Sequence, residues 1–238
     1  MIREDDEMDF TGSALLLGLI VHGYLERHRF GEGFNADLFD NIWEKSLAEN
    51  YRMNYCSVDE LKALRQKARD QLNRTINDER LIGLLKGARD YAEAPFLINV
   101  SPGVDFRGVI DRVFLNKTVR SWSIIDWKSN ELKGRSPSGI AEEKNYNLQL
   151  SCYKYAVEQI TKEKVEGLYI YFTDAGHLLE GKPEPDGGEF IIEVSKKITA
   201  SSKAGLPPME PGCADKTMPR CRLCGYLGSF CGQSPISG

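Results

Sequence analysis

Two aspartates and a lysine carry the chemistry that can be read from this chain. The segment Gly108-Val-Ile-Asp111-Arg-Val is followed, fifteen residues after its aspartate, by Ile124-Ile-Asp126-Trp-Lys128. Side chains of an extended strand alternate faces, so Asp126 and Lys128 point one way and Trp127 the other. A hairpin turn near Lys117-Thr118 would set Asp111 opposite Ile124 and diagonal to Asp126, on the same face. Diagonal neighbours lie roughly 7–8 Å apart at the backbone, so two carboxylates can converge on one ion. Carboxylate oxygens suit Mg²⁺ or Mn²⁺, which activate water and neutralise charge on a phosphodiester. A neighbouring lysine can orient or help deprotonate that water and stabilise the charged transition state. Each aspartate alone reads as a solvated strand end. Together with Lys128 they read as a metal-dependent site for phosphodiester cleavage.

The elements that must position these residues follow from patterning. Residues 13–30 read as a helix in which Leu15, Leu19, His22 and Glu26 share one face. From about 34 to 92 the pattern is charged and helical, with Leu61, Leu64, Ala68 and Leu72 on one stripe. Pro95 breaks it, and strand character follows at Phe96–Val100, Phe106–Leu115 and Ser121–Lys128. Residues 129–145 are polar, with glycines and a proline, and read as a loop. A helix is expected from Tyr146 to Ile160 and a strand over Gly167–Thr173. His177–Glu189 is turn-like, Phe190–Val194 reads as a strand, and Lys196–Lys203 as a short helix before Pro207, Pro208 and Pro211.

The bulk properties are permissive. The chain has 238 residues, 41% apolar and 28% charged, with a net charge of -4. It has no run of about eighteen apolar residues, so no transmembrane helix is expected. The acidic start lacks the basic flank and apolar core of a signal peptide, which points to the cytoplasm. Net acidity does not argue against a nuclease, because a site that holds cations is itself acidic and phosphate contacts need only a local basic face. Four of the six cysteines, Cys213, Cys221, Cys224 and Cys231, fall in the last 26 residues. Clustered cysteines without a signal peptide point to a metal site rather than to disulfides.

Five segments, in order, resemble the RecB-like branch of the PD-(D/E)XK nucleases. They are the histidine helix Gly18-Leu-Ile-Val-His22-Gly-Tyr-Leu-Glu26, the strand start Glu93-Ala-Pro-Phe96, the acidic motif Gly108-Val-Ile-Asp111-Arg112, the D-x-K motif Asp126-Trp-Lys128 and the Q-x-x-x-Y helix Gln149-Leu-Ser-Cys-Tyr153. A lone D-x-K is common by chance; five elements in the family's order are not. The resemblance implies that His22, Asp111, Asp126 and the Trp127 carbonyl hold the metal. It makes Lys128 the catalytic lysine, with Gln149 and Tyr153 lining the site one helical turn apart. Glu93 reads as a solvated strand-start carboxylate that could stand behind the ligands. His28 and His177 match nothing and read as surface residues, and Cys152 as packing within the Gln149–Tyr153 helix.

The tail, with Cys221-Arg-Leu-Cys224 and Cys231, is close to the cysteine clamp by which some RecB-like nucleases hold a 4Fe-4S cluster. The clamped members draw their fourth cysteine from before the histidine helix, where this chain has none. Cys213 is the local substitute and Cys56 the remote one. The ligated group is therefore expected to be either 4Fe-4S or Zn²⁺, with free thiols as the alternative.

The expected architecture is α/β: a restriction-endonuclease-like mixed central sheet flanked by helices over residues 1–210, with a small cysteine-bearing extension over 211–238. The expected function is Mg²⁺- or Mn²⁺-dependent cleavage of DNA, as the exonuclease part of a helicase–nuclease acting in end resection and recombinational repair. A helicase motor in the same or a partner chain is the expected companion. The alternatives are a stand-alone CRISPR-adaptation-type nuclease and a catalytically silent DNA-binding module of the same fold.

Overall fold

The computed structural model describes residues 12–50, 57–116, 120–129, 131–182 and 187–203. Cys56 and all four tail cysteines lie outside the described residues. Four helices come first: α1 (Gly12–Arg27), α2 (Ala36–Glu49), α3 (Val58–Ile76) and α4 (Glu79–Leu85). Their starts are written in the sequence. The side chains of Asn35, Ser57 and Asp78 accept from the first-turn amides of α2, α3 and α4, and Ser57 and Glu60 close a reciprocal capping box. The stripe of Leu64, Ala68 and Leu72 on α3 is buried, with Leu61 packed against it. On α1 the core face is Leu16, Leu17, Ile20, Val21, Tyr24 and Leu25, whereas Leu15 and Leu19 are each 45% exposed. His22 therefore lies on the open side of its helix.

Five strands, β1 (Arg89–Ser101), β2 (Val104–Asn116), β3 (Ser121–Lys128), β4 (Val165–Phe172) and β5 (His177–Glu180), form one sheet in that order. β2/β3 and β4/β5 are antiparallel and β3/β4 is parallel. The parallel pair needs a crossover, which α5 (Pro137–Glu143) and α6 (Tyr146–Thr161) supply. Helices flank the sheet. Phe114, Ile125, Trp127 and Tyr171 join the core built by α1–α4, and α6 packs on β3 and β4.

Several boundaries differ from the patterning, each for a local reason. β1 begins at Arg89, and Pro95 lies inside it rather than before it. An edge strand tolerates proline because one row of its amides needs no partner. The β2/β3 register pairs Arg112 with Ile125 and Asn116 with Ser121, two residues beyond the expected one. The connection is longer than a turn at Lys117-Thr118: Arg120, in the left-handed region at φ 52°, bonds its amide to the Asn116 carbonyl at 2.8 Å. A shift of two preserves the face, so Asp111 and Asp126 still point the same way. Residues 137–143 form a helix inside the expected loop, started by Ser136 and Pro137.

Phe190–Val194 is not a strand. It belongs to α7 (Gly187–Lys203), where Ile191 and Ser195 are buried one turn apart and Glu193 pairs with Lys197 at 2.6 Å. His177–Glu180, expected as turn, pairs with β4 as β5. Contacts divide the chain into two compact units, residues 1–97 with 107–187, and residues 98–106 with 188–238. In the second, the β1–β2 turn is braced by Asn99 Nδ2 on Asp105 Oδ1 at 2.9 Å.

Candidate active site

A cavity of about 350 Å³ opens at the C-terminal end of β3, lined by His22, Asp111, Asp126, Trp127, Lys128, Ser129, Tyr146, Gln149 and Tyr153. Strand alternation builds its floor. Trp127 turns its ring into the helical core, stacked on Phe30 at 6.0 Å and edge-on to Tyr171 at 5.9 Å. Asp126 and Lys128 are thereby directed to the α6 side. The Trp127 amide donates to Asp111 Oδ2 at 2.7 Å, which ties the β2 carboxylate to the D-x-K strand. Gly18, one turn before His22, lets α1 approach the strand end closely; a Cβ there would stand 3.3 Å from Ser129 Oγ.

His22 Nδ1 lies 3.5 Å from Asp111 Oδ1 and 3.9 Å from Glu93 Oε1. These three residues each offer one ligand atom, all within 4.8 Å of one another. Burial lowers the His22 pKa, but hydrogen bonds and charge from Asp111 and Glu93 outweigh it and raise the value to about 10. A cation bound here would displace the His22 proton, because imidazole ligates in its neutral form.

Asp126 stands outside that triplet and is 2% exposed. Lys128 Nζ lies 2.6 Å from Asp126 Oδ2, a close ion pair at a buried carboxylate. Burial pushes Asp126 up to about 6, against the pull of Lys128 and with the push of Asp111. Lys128 donates to Gln149 Oε1 at 2.9 Å, and Gln149 Nε2 donates to the Tyr153 hydroxyl at 2.9 Å. Burial and the Asp126 charge push that phenol up to about 12. The Lys128 ammonium also lies 4.2 Å from the centre of the Tyr146 ring.

All of the expected core residues, His22, Asp111, Asp126, Trp127, Lys128, Gln149 and Tyr153, border one cavity. Three points differ from the sequence reading. Glu93 is not simply solvated, since it faces His22 within the triplet and its backbone is left-handed at φ 44°. Tyr146 and Ser129 also line the cavity, and Tyr146 had a usable signal: it lies three and seven residues before Gln149 and Tyr153, on the same helical face. His28 is buried, 4% exposed, between Tyr24 and Phe30, and burial together with the Arg112 charge lowers its pKa. His177 starts β5 and Cys152 is a half-buried free thiol; neither borders the cavity.

The donor set, imidazole nitrogen with carboxylate oxygens, fits a hard divalent cation.

A family model described as the PD-(D/E)XK nuclease superfamily matches residues 2–231. An ATP-dependent helicase/nuclease subunit of Carboxydothermus hydrogenoformans is 27% identical over 195 residues, covering 72% of this chain and 15% of that protein. The protein of the same name from Bacillus velezensis is 31% identical over 113 residues, covering 40% of this chain and 9% of the relative. The chain thus matches only a small part of each relative's length. Among solved structures, a Eubacterium rectale protein named "Putative exonuclease" superposes with a TM-score of 0.58 at 16% identity, covering 96% of this chain and 79% of that one. At that identity the likeness shows the fold. No helix among the described residues is long and apolar enough to cross a membrane.

Proposed function

This chain belongs to the PD-(D/E)XK nuclease superfamily, and from that premise we propose that its cavity hydrolyses DNA phosphodiester bonds with Mg²⁺ or Mn²⁺. We place it as the exonuclease part of a helicase–nuclease acting at DNA ends in recombinational repair, working in the cytoplasm with a helicase motor in the same or a partner chain. The observation that carries the chemistry is the meeting of ligand atoms of His22, Glu93 and Asp111 within 4.8 Å, beside a cavity that His22 and Asp111 line together with Asp126 and Lys128. The similarity to helicase/nuclease subunits supports the biological setting.

In this reading His22, Asp111 and Asp126, with the Trp127 carbonyl, hold the cation, and Glu93 joins or backs them. When bound, the cation neutralises charge on the scissile phosphate and acidifies a water. The chain's own groups do the rest. Lys128, fixed between Asp126, Gln149 and the Tyr146 ring, would offer its ammonium to the negative charge that grows on the phosphate. Gln149 orients Lys128 through Oε1 and is itself fixed through its Nε2 bond to Tyr153. The Trp127 amide on Asp111 Oδ2 leaves Oδ1 facing His22.

The test is cleavage of linear DNA. The protein should degrade it with Mg²⁺ or Mn²⁺ and stop in EDTA. Asp111→Ala, Asp126→Ala and Lys128→Ala should each lower the rate by roughly 10²-fold or more without loss of fold. Retained activity in the Asp126 or Lys128 variant would refute the assignment. The cysteine tail, the proposed holder of a 4Fe-4S cluster or Zn²⁺, lies outside the described residues.

A further inference from the structure

The triplet His22, Glu93 and Asp111 is drawn from α1, β1 and β2, so its geometry is only as good as the docking of those three elements. One side chain touches all of them. Arg112 follows Asp111 on β2, and its guanidinium is buried, the residue being 3% exposed. It donates to the carbonyl of Leu25, three residues after His22 on α1. It also pairs with Asp90, three residues before Glu93 on β1. The Phe30 ring lies 5.4 Å from it and stacks in turn on Trp127, whose amide holds Asp111.

Leu25 is in the last turn of α1, where carbonyls lack intrahelical donors, so the guanidinium also caps the helix that carries His22. Burying a guanidinium costs several kcal/mol of hydration, and an apolar side chain of like volume would fill the same space more cheaply. What the apolar residue lacks is a rigid fork whose donors point in fixed directions. The use of the charge is therefore geometric. We propose that Arg112 is a positioning residue, a strut that holds α1, β1 and β2 at the separations at which His22, Glu93 and Asp111 meet one divalent cation.

The inference rests on the proposed site, and its test keeps the two apart. Mn²⁺ binding is measured calorimetrically without DNA on the whole chain, alongside thermal melting, for wild type, Asp111→Ala, Asp90→Asn and Arg112→Lys. Loss of a group that orients ligands costs roughly 10- to 100-fold in metal affinity. Asp90→Asn and Arg112→Lys should therefore weaken Mn²⁺ binding by about that factor while the far-ultraviolet circular dichroism stays native. A purely structural arginine would lower the melting temperature and leave the affinity unchanged, and that result overturns the strut. If Arg112→Lys does not fold, Asp90→Asn decides alone, since Asp90 lies at the partly exposed end of the pair. Wild type that takes up no Mn²⁺, or Asp111→Ala that binds as wild type does, removes the site and the strut with it. Wild-type affinity in Asp90→Asn, with Asp111→Ala silent, removes the strut alone.

Discussion

Adding one methyl group at Gly108 tests how tightly the wall behind the site is packed. A Cβ built there would stand 2.8 Å from two atoms of the Phe96 ring, closer than real carbon contacts come. The Gly108 backbone is outside the left-handed region, so Gly108→Ala adds no dihedral strain and its whole effect is steric. Phe96 is 8% exposed and edge-on to Tyr153 at 6.0 Å, so the ring cannot swing into solvent. Forcing extra carbon into such a contact costs about 1–3 kcal/mol. In a chain of this size each kcal/mol moves the melting temperature by roughly 2–4 °C, so Gly108→Ala should melt roughly 2–12 °C lower. The decisive assay is a double-mutant cycle with Phe96→Leu, read by urea unfolding. The smaller side chain vacates the space the methyl needs, so the two changes together should cost less than their sum, by roughly 0.5–3 kcal/mol. Strict additivity, or a Gly108→Ala variant as stable as wild type, would refute the argument.

Other outcomes follow from single contacts. Tyr146→Leu removes the ring beside the Lys128 ammonium and should slow cleavage by about 2- to 30-fold, the rate equivalent of roughly 0.5–2 kcal/mol, whereas Tyr146→Phe should keep most of the rate in the same assay. Gly187→Ala would put a Cβ 2.3 Å from the Ser151 carbonyl carbon, which cannot move aside, so denaturant unfolding should show a loss of at least about 2 kcal/mol. Tyr171→Phe removes a 3.0 Å bond to Asp78 and should cost about 1.5–3 kcal/mol at neutral pH by urea unfolding. Burial raises the Asp78 pKa, but bonds from Arg80 and Tyr171 outweigh it and leave the value below its ordinary 3.8. The stability this carboxylate contributes is therefore fully present above pH 3.8 and lost as pH falls through the lower folded value, so the gap between Tyr171→Phe and wild type should narrow in acid.

What the sequence revealed and what it hid follow a physical division. Residues whose role depends on local periodicity were legible: the D-x-K alternation, the i, i+4 pair Gln149 and Tyr153 and the helix stripe of α3. The β2/β3 register was not, because it depends on the conformation of the connecting turn, which composition does not fix. A short, largely apolar stretch such as Phe190–Val194 fits either a strand or the face of a helix, and only its longer context on α7 decides. Glu93 could not be told from a solvated carboxylate, because its partners His22 and Asp111 lie far away in sequence and meet it only through the docking of α1 on the sheet. His28 looked like a surface residue although the rings that flank it, Tyr24 and Phe30, are close in sequence; only Arg112, whose charge acts on it, comes from a distant part of the chain.

The ring of Trp127 makes the two sides of β3 answerable to each other. Asp126 and Lys128 are one peptide unit away from a side chain wedged between Phe30 and Tyr171. A strand held by such an anchor cannot slide or roll by a fraction of a residue without moving both chemical groups together. Substitutions in that aromatic stack would thus disturb the position of both groups as well as the stability of the core. A screen for loss of the proposed activity would therefore recover positions in that aromatic stack.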